Sequence, residues 1–362
     1  MLSPPARRRL AAFPAAFLLL LGAGVGCARD PARRAGSAGD AWEAPRRRAI
    51  GPRSIPFAGG DPVAKGWVQA DGLLWVEKEH AEAFSRGLVR AGGRYATVAE
   101  ADALPKTPTE GYALRTDHLL VRTNVPFARA RELARLAESH VGAVLLAFGE
   151  ALDLRLPADP LRIVIAARRE EYRTLLRERV SAEVSWNAFY EADDGTVYAC
   201  DEPVAEGGLP VAADLRHEMV HALLDLGRSD AGRSLLFARP QFWAWEAAAV
   251  WAEGLGDPPG ASAGAERLAR FARRRAAGEV TPLAALFALR QDAFEGRHYD
   301  ETASFVGWLM EAEGGRWRGG FLALVSEVMA GRGEAGSFER LVGLTARDAE
   351  RRWLAAAPAR GR

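Results

Sequence analysis

VAADLRHEMVHALLDLG, residues 211–227, and FWAWEAAAVWAE, residues 242–253, form the stretch on which the reading of this chain turns. In the first segment Val211, Leu215, Val220, Leu223 and Leu224 recur at helical spacing, and Gly227 supplies a stop. An amphipathic helix is expected there. His217 and His221 are four apart, so a helix sets both imidazoles on one face, one turn from each other. Two neutral imidazoles so placed can reach one Zn²⁺, with Glu218 between them placed to touch a water on the metal. The bland alternative is a pair of core histidines, in a chain that has six in all.

A catalytic zinc takes three protein ligands and keeps one position for water. Apart from Glu246 and Glu253, residues 242–253 are apolar all round, the pattern of a buried helix. A carboxylate in such a helix is costly unless it is paired or binds a cation. Glu246 is therefore expected as the third ligand, the alternative being an ion pair with an arginine.

His217-Glu218-x-x-His221, then Trp243-x-x-Glu246, then Glu253 seven residues on, resembles the gluzincin metallopeptidases, and more closely the envelope-associated peptidase-MA-like proteins, over residues 115 to 357. The resemblance implies an α+β, zincin-like metallopeptidase fold with a small N-terminal sheet lobe and a helical C-terminal lobe. It implies Zn²⁺ on His217, His221 and Glu246, with Glu218 as general base and Glu253 behind the ligands. Tyr299 stands where those proteins have a recurrent tyrosine, which makes it a cleft residue and the candidate oxyanion donor; His298 is a lesser candidate. The departure is Ala247 in place of the usual glycine, a change that keeps the helix. Asp225, four residues after His221 on the same face, is placed to orient a ligand imidazole, or else is a solvated helix-end carboxylate. The function expected is hydrolysis of peptide bonds in a peptide or protein substrate outside the cytoplasm. The competing expectation is a non-catalytic, zincin-shaped protein that binds a peptide or wall component.

Arg7, Arg8 and Arg9 precede an apolar run, Leu10 to Leu21, that is short for a membrane span and ends in Gly-Ala-Gly-Val-Gly-Cys. Small residues running into Cys27 resemble a bacterial lipobox, with Gly24 where leucine is usual. Residues 1–27 are expected as a lipoprotein-type signal peptide. Cys27 would then carry the lipid that tethers the protein to a membrane of the bacterial envelope, facing outside the cytoplasm; plain secretion is the alternative. Residues 28–60, rich in Arg, Pro, Gly and Ala, read as a disordered linker.

Residues 61–112 carry a weak repeat. Gly66-Trp67-Val68, Asp71-Gly72, Trp75-Val76 and Glu79 are echoed by Gly87-Leu88-Val89, Gly92-Gly93, Tyr95 and Glu100. Each unit reads as strand, glycine turn, strand and acidic helix start. Units so small must pack together or on the main domain, which is placed at residues 113–358.

In that domain His118–Arg122, Leu161–Ile165 and Thr196–Cys200 read as strands, and Asp193-Asp194-Gly195 as a hairpin turn after Phe189–Glu191. Ala128–Leu152 and Arg169–Val180 read as helices, as does nearly everything after residue 262. Thr196–Cys200, the last strand before the histidine helix, is expected to border the cleft. Met310, Phe321, Leu322, Val325, Leu341 and Trp353 are expected in the core. The net charge of +1, with both signs mixed, gives no nucleic-acid surface, and two cysteines make no disulfide scaffold.

Overall fold

Alternation of buried and exposed residues along Tyr112–Arg115 and Leu119–Thr123 starts a sheet that the rest of the N-terminal half joins. The computed structural model describes residues 61–104, 106–157, 159–177, 186–202, 211–227, 241–255 and 263–356. The expected signal segment with Cys27 and the linker lie outside the described residues.

The first repeat unit folds as hairpin β1 (Trp67–Gln69) and β2 (Trp75–Glu77), then helix α1 (Ala81–Ser85). The second is β3 (Leu88–Ala91) and β4 (Arg94–Thr97), then α2 (Val98–Ala103), which opens with a reciprocal cap between Thr97 and Glu100. The two hairpins go different ways. β3 and β4 make a two-stranded sheet of their own. The first hairpin extends the main sheet, because Trp75 pairs with Arg115 of strand β5 (Tyr112–Arg115). The boundary expected between residues 112 and 113 thus cuts a strand that the sequence pattern alone did not reveal. A cavity of about 1010 Å³, lined in part by Trp67, Trp75, Tyr95 and Arg115, lies in this region.

The main sheet continues through β6 (Leu119–Thr123), β7 (Leu161–Ala166), β8 (Ala188–Glu191) and β9 (Thr196–Cys200), in the order β1-β2-β5-β6-β7-β9-β8. β6, β7 and β9 run parallel; the other pairings are antiparallel. Parallel neighbours need crossovers. Helix α3 (Phe127–Leu152) makes the first, and α4 (Arg169–Arg177) lies in the second. α4 packs on Val164, Ala166, Tyr198 and Cys200, one face of the sheet, through Tyr172 and Leu176. α3 and α5 (Val211–Leu226) pack together, α5 against β8 and β9. Gly195, at φ 63°, turns the β8–β9 hairpin as the Asp-Asp-Gly signal requires.

β9 is buried along its whole length between β7 and β8, so the expectation that it borders a cleft is corrected. The antiparallel hairpin partner β8 takes the outer position, and it is β8 that forms the rim beside α5.

The C-terminal half is helical: α6 (Phe242–Ala252), α7 (Ala263–Ala276), α8 (Leu283–Ala288), α9 (Gly296–Glu311), α10 (Arg318–Met329), α11 (Ser337–Val342) and α12 (Ala346–Ala356). Trp243 is its hub. The indole is fully buried against Phe287, Phe305, Phe321 and Phe338, and its Nε1 donates to Gln241 Oε1 at 2.7 Å. That cluster fixes the N-terminal turn of α6 and hence the height of Glu246 one turn later. Met310, Phe321, Leu322, Val325 and Trp353 are buried as expected; Leu341 is half-buried instead. The chain described is therefore α+β, a sheet-bearing N-terminal part and a helical C-terminal part. Among the described residues no helix is long and apolar enough to cross a membrane.

Candidate metal centre

α5 ends where its sequence says it must. At Gly227 any Cβ would lie 2.4 Å from the Leu223 carbonyl oxygen and 2.7 Å from that of Arg155, so only glycine fits. The helix upstream is regular, and His217 and His221 face α6 across a buried interface. His217 Nε2 lies 3.0 Å from His221 Nε2 and 3.1 Å from Glu246 Oε2, and His221 Nε2 lies 3.4 Å from the same oxygen. Tetrahedral coordination at bond lengths of about 2.0–2.2 Å places ligand atoms roughly 3.3 Å apart. The three atoms already stand at nearly the edges of such a figure, so His217, His221 and Glu246 fit a metal ion. α6 runs unbroken through the buried Ala247, so the departure from glycine leaves the helix intact.

The electrostatics call for a positive charge at this point. Burial acts to raise the Glu246 carboxyl, but the charge and hydrogen bonds of His221 and His217 outweigh it and hold the group below the usual carboxylate range. Burial acts to lower the His217 imidazole, but hydrogen bonds and charge from Glu246 and Glu253 lift it well above its ordinary value. A buried carboxylate with two imidazoles is stable with a proton or a metal ion among them and costly without either.

The two imidazoles are held in different ways. Glu253, wholly buried, accepts from His217 Nδ1 at 2.8 Å, which turns Nε2 towards Glu246. Arg267 of α7 donates to both Glu253 oxygens, at 2.9 and 3.0 Å. His221 Nδ1 has no hydrogen-bond partner among the described residues. Its ring lies flat on the indole of Trp245, 4.8 Å between centroids and 10° between planes. Asp225 was expected to orient an imidazole; its carboxylate accepts instead from the Tyr190 phenol at 2.6 Å. Asp225 is buried, so the solvated alternative is excluded too.

Tyr190 is the residue the sequence pattern did not single out. Its phenol binds Asp225, and its backbone N–H donates to Glu218 Oε2 at 2.9 Å. The rim strand β8 is thereby fastened to α5 at two points two turns apart. Burial raises the Glu218 carboxyl above its usual range, although His217 and His221 pull it down; Glu246 raises it further. A carboxylate so placed is a stronger base than one in water. Alternating residues on an apolar strand gave no sign that Tyr190 would reach α5 from both its backbone and its side chain.

Tyr299, near the start of α9, joins the same centre. Its ring lies edge-on to His217, 5.9 Å between centroids, and burial together with the charges of Glu246 and Glu218 keeps its phenol protonated well above the ordinary tyrosine range. His298 turns away, its Nδ1 accepting from the Glu295 N–H at the helix start. Asp300, next in sequence, is buried among Arg270 at 2.9 Å, Arg274 at 2.7 Å and Arg267 at 3.8 Å. These pairs bind α7 to α9.

A second group with metal-ligand chemistry, Glu77, Glu79 and His80, is exposed or half-buried, and its imidazole is already engaged by Tyr95 and Arg90. The 1010 Å³ cavity has none of the residues around His217 in its wall. Set against known proteins, the chain matches no family model and no curated sequence. The site's own geometry is thus the ground for its reading.

Proposed function

We propose that this chain is a zinc-dependent metallopeptidase-like lipoprotein of zincin type that hydrolyses peptide bonds outside the cytoplasm. The observation that carries the reading is the convergence of His217, His221 and Glu246 on one point, with the Glu218 carboxylate and the Tyr299 ring beside it. Zinc suits two imidazoles and a carboxylate, and when bound it supplies a Lewis acid that polarises the scissile carbonyl and activates water. Glu218 takes a proton from the attacking water on its carboxylate and returns it to the leaving nitrogen. The Tyr190 N–H holds that carboxylate in one position, so little side-chain freedom remains to be lost at the reaction step. Tyr299 Oη, kept protonated, donates to the oxygen that gains charge. β8, outermost of the described strands of the sheet, offers an extended peptide the backbone groups that Glu218 leaves free. The membrane tether through Cys27 belongs to the same proposal.

The test pairs wild type with Glu218→Gln on a peptide library, with zinc content measured in both. Gln keeps an oxygen for the Tyr190 N–H but cannot take a proton at neutral pH. The expected result is equal zinc and a loss of turnover of about a hundredfold to ten-thousandfold. Equal turnover, or turnover in wild type that a chelator leaves unchanged, contradicts the proposal. Zinc in both proteins and turnover in neither leaves a peptide- or wall-binding protein.

A further inference from the structure

We infer that Arg267 is a positioning residue for the centre, setting through one guanidinium both the metal-facing orientation of His217 and the place of Tyr299. The inference rests on the reading of His217, His221 and Glu246 as a metal site.

Three contacts converge on this side chain. Nε and Nη2 grip the two oxygens of Glu253 in the parallel, two-bond geometry that a planar guanidinium gives to a carboxylate. The guanidinium carbon lies 5.6 Å from the centre of the Tyr299 ring, on its face. Nη1 lies 3.8 Å from Asp300, the residue after Tyr299. The same Glu253 oxygen that takes Arg267 Nη2 also takes His217 Nδ1. Ligand, orienting carboxylate, guanidinium and phenol ring therefore form one continuous chain from α5 through α6 and α7 to α9.

Charge explains why an arginine is needed there. A histidine that binds metal through Nε2 is neutral and donates its Nδ1 hydrogen. Glu253, fully buried, would then be an anion with only a neutral donor, an expensive state. Arg267, itself buried, supplies the compensating charge through its two hydrogen bonds to the Glu253 oxygens. Because both Glu253 oxygens are occupied, the carboxylate orients His217 and does not compete with Glu246 as a ligand. Lysine could carry the charge, but it has neither the two parallel donors nor the flat face that lies on Tyr299.

The experiment compares Arg267→Lys with Arg270→Lys in the full chain. Arg270 lies on the same helix and binds Asp300 without touching Glu253 in any hydrogen bond described above. Zinc affinity is measured by competition with a chromophoric chelator, alongside the visible spectrum of the Co²⁺-loaded proteins and the melting curve of each metal-free form. Arg267→Lys is expected to weaken zinc about 10- to 100-fold, the range found when a partner behind a metal ligand is lost, and to shift the cobalt bands. Arg270→Lys is expected to leave both unchanged, whatever it does to melting. Combining Arg267→Lys with Glu253→Gln should weaken zinc no further than the worse single change, because the two act through one contact. Wild-type affinity and an unshifted spectrum in Arg267→Lys overturn the inference while leaving the metal centre standing. Equal losses in the two variants overturn it in favour of a general stabilising role. A wild type that binds no zinc takes the metal centre and the inference down together.

Discussion

Two glutamates seven residues apart, Glu246 within α6 and Glu253 at its C-terminal cap, should respond to substitution in opposite ways. Glu246 touches the two imidazoles through Oε2. Glu253 touches His217 and Arg267 and is wholly buried. Glu246→Gln removes a ligand but leaves no oppositely charged arginine behind, so stability of the metal-free protein should stay within about 1 kcal/mol of wild type. If a zinc site worth about 10–16 kcal/mol is shared among four ligands, one ligand accounts for about 2.5–4 kcal/mol, a loss of roughly sixtyfold to a thousandfold in affinity. Glu253→Ala does the reverse. It strands the buried Arg267 guanidinium, which costs about 3–5 kcal/mol and lowers melting on the order of 10 °C. Zinc is then held about 10- to 100-fold more weakly, through the loss of His217 orientation alone. Melting curves of the metal-free variants and chelator competition for zinc give both numbers. Zinc retained in Glu246→Gln and lost in Glu253→Ala would refute the assignment of ligand and orienting group. Equal melting of the two variants would refute the ion-pair argument.

Tyr299→Phe should lower peptide turnover about tenfold to a thousandfold while zinc content stays as in wild type, which steady-state kinetics beside elemental analysis will check. His140, buried in α3, has its imidazole held at about 3, chiefly by burial and the nearby Arg216 charge. An unfolded histidine titrates near 6.5, so stability from this group is complete above that value and is lost as pH falls towards 3. At pH 5 the cost is about 2 kcal/mol, and His140→Leu should remove that part of the acid dependence in denaturant titrations at pH 7 and pH 5. Cys27→Ala should release the folded protein from membranes or leave it unprocessed; fractionation showing a correctly processed variant still on membranes would contradict the tether.

Helices with a clear 3.6-residue pattern could be read closely from sequence: the helix expected over Ala128–Leu152 is α3, Phe127–Leu152. Glu246 was legible because a carboxylate in an all-apolar helix has few stable reasons to be there. Glu253 was singled out by the resemblance alone, and its partner Arg267 was not singled out. Arg267 lies fourteen residues on in an arginine-rich helix, where nothing local separates it from Arg270, Arg273 and Arg274. β5 was missed because four residues ending in Arg115 carry little strand signal; the partners on either side, Trp75 and β6, make it a strand. Asp225 and β9 were misplaced for one reason. The hairpin folds β8 outside β9, and Tyr190 then reaches the carboxylate that spacing alone had aimed at His221. Helical spacing shows which residues share a face, but it does not show which side chain of another element arrives there first.

The central claim is that His217, His221 and Glu246 hold one metal ion. Elemental analysis of the purified chain, followed by anomalous diffraction at the zinc edge, tests it most directly. The account predicts one zinc per chain and a single strong peak in bonding contact with His217 Nε2, His221 Nε2 and Glu246 Oε2. A metal-free protein after growth and purification with zinc, or a peak at Glu77, Glu79 and His80 with none at the buried histidines, would contradict it.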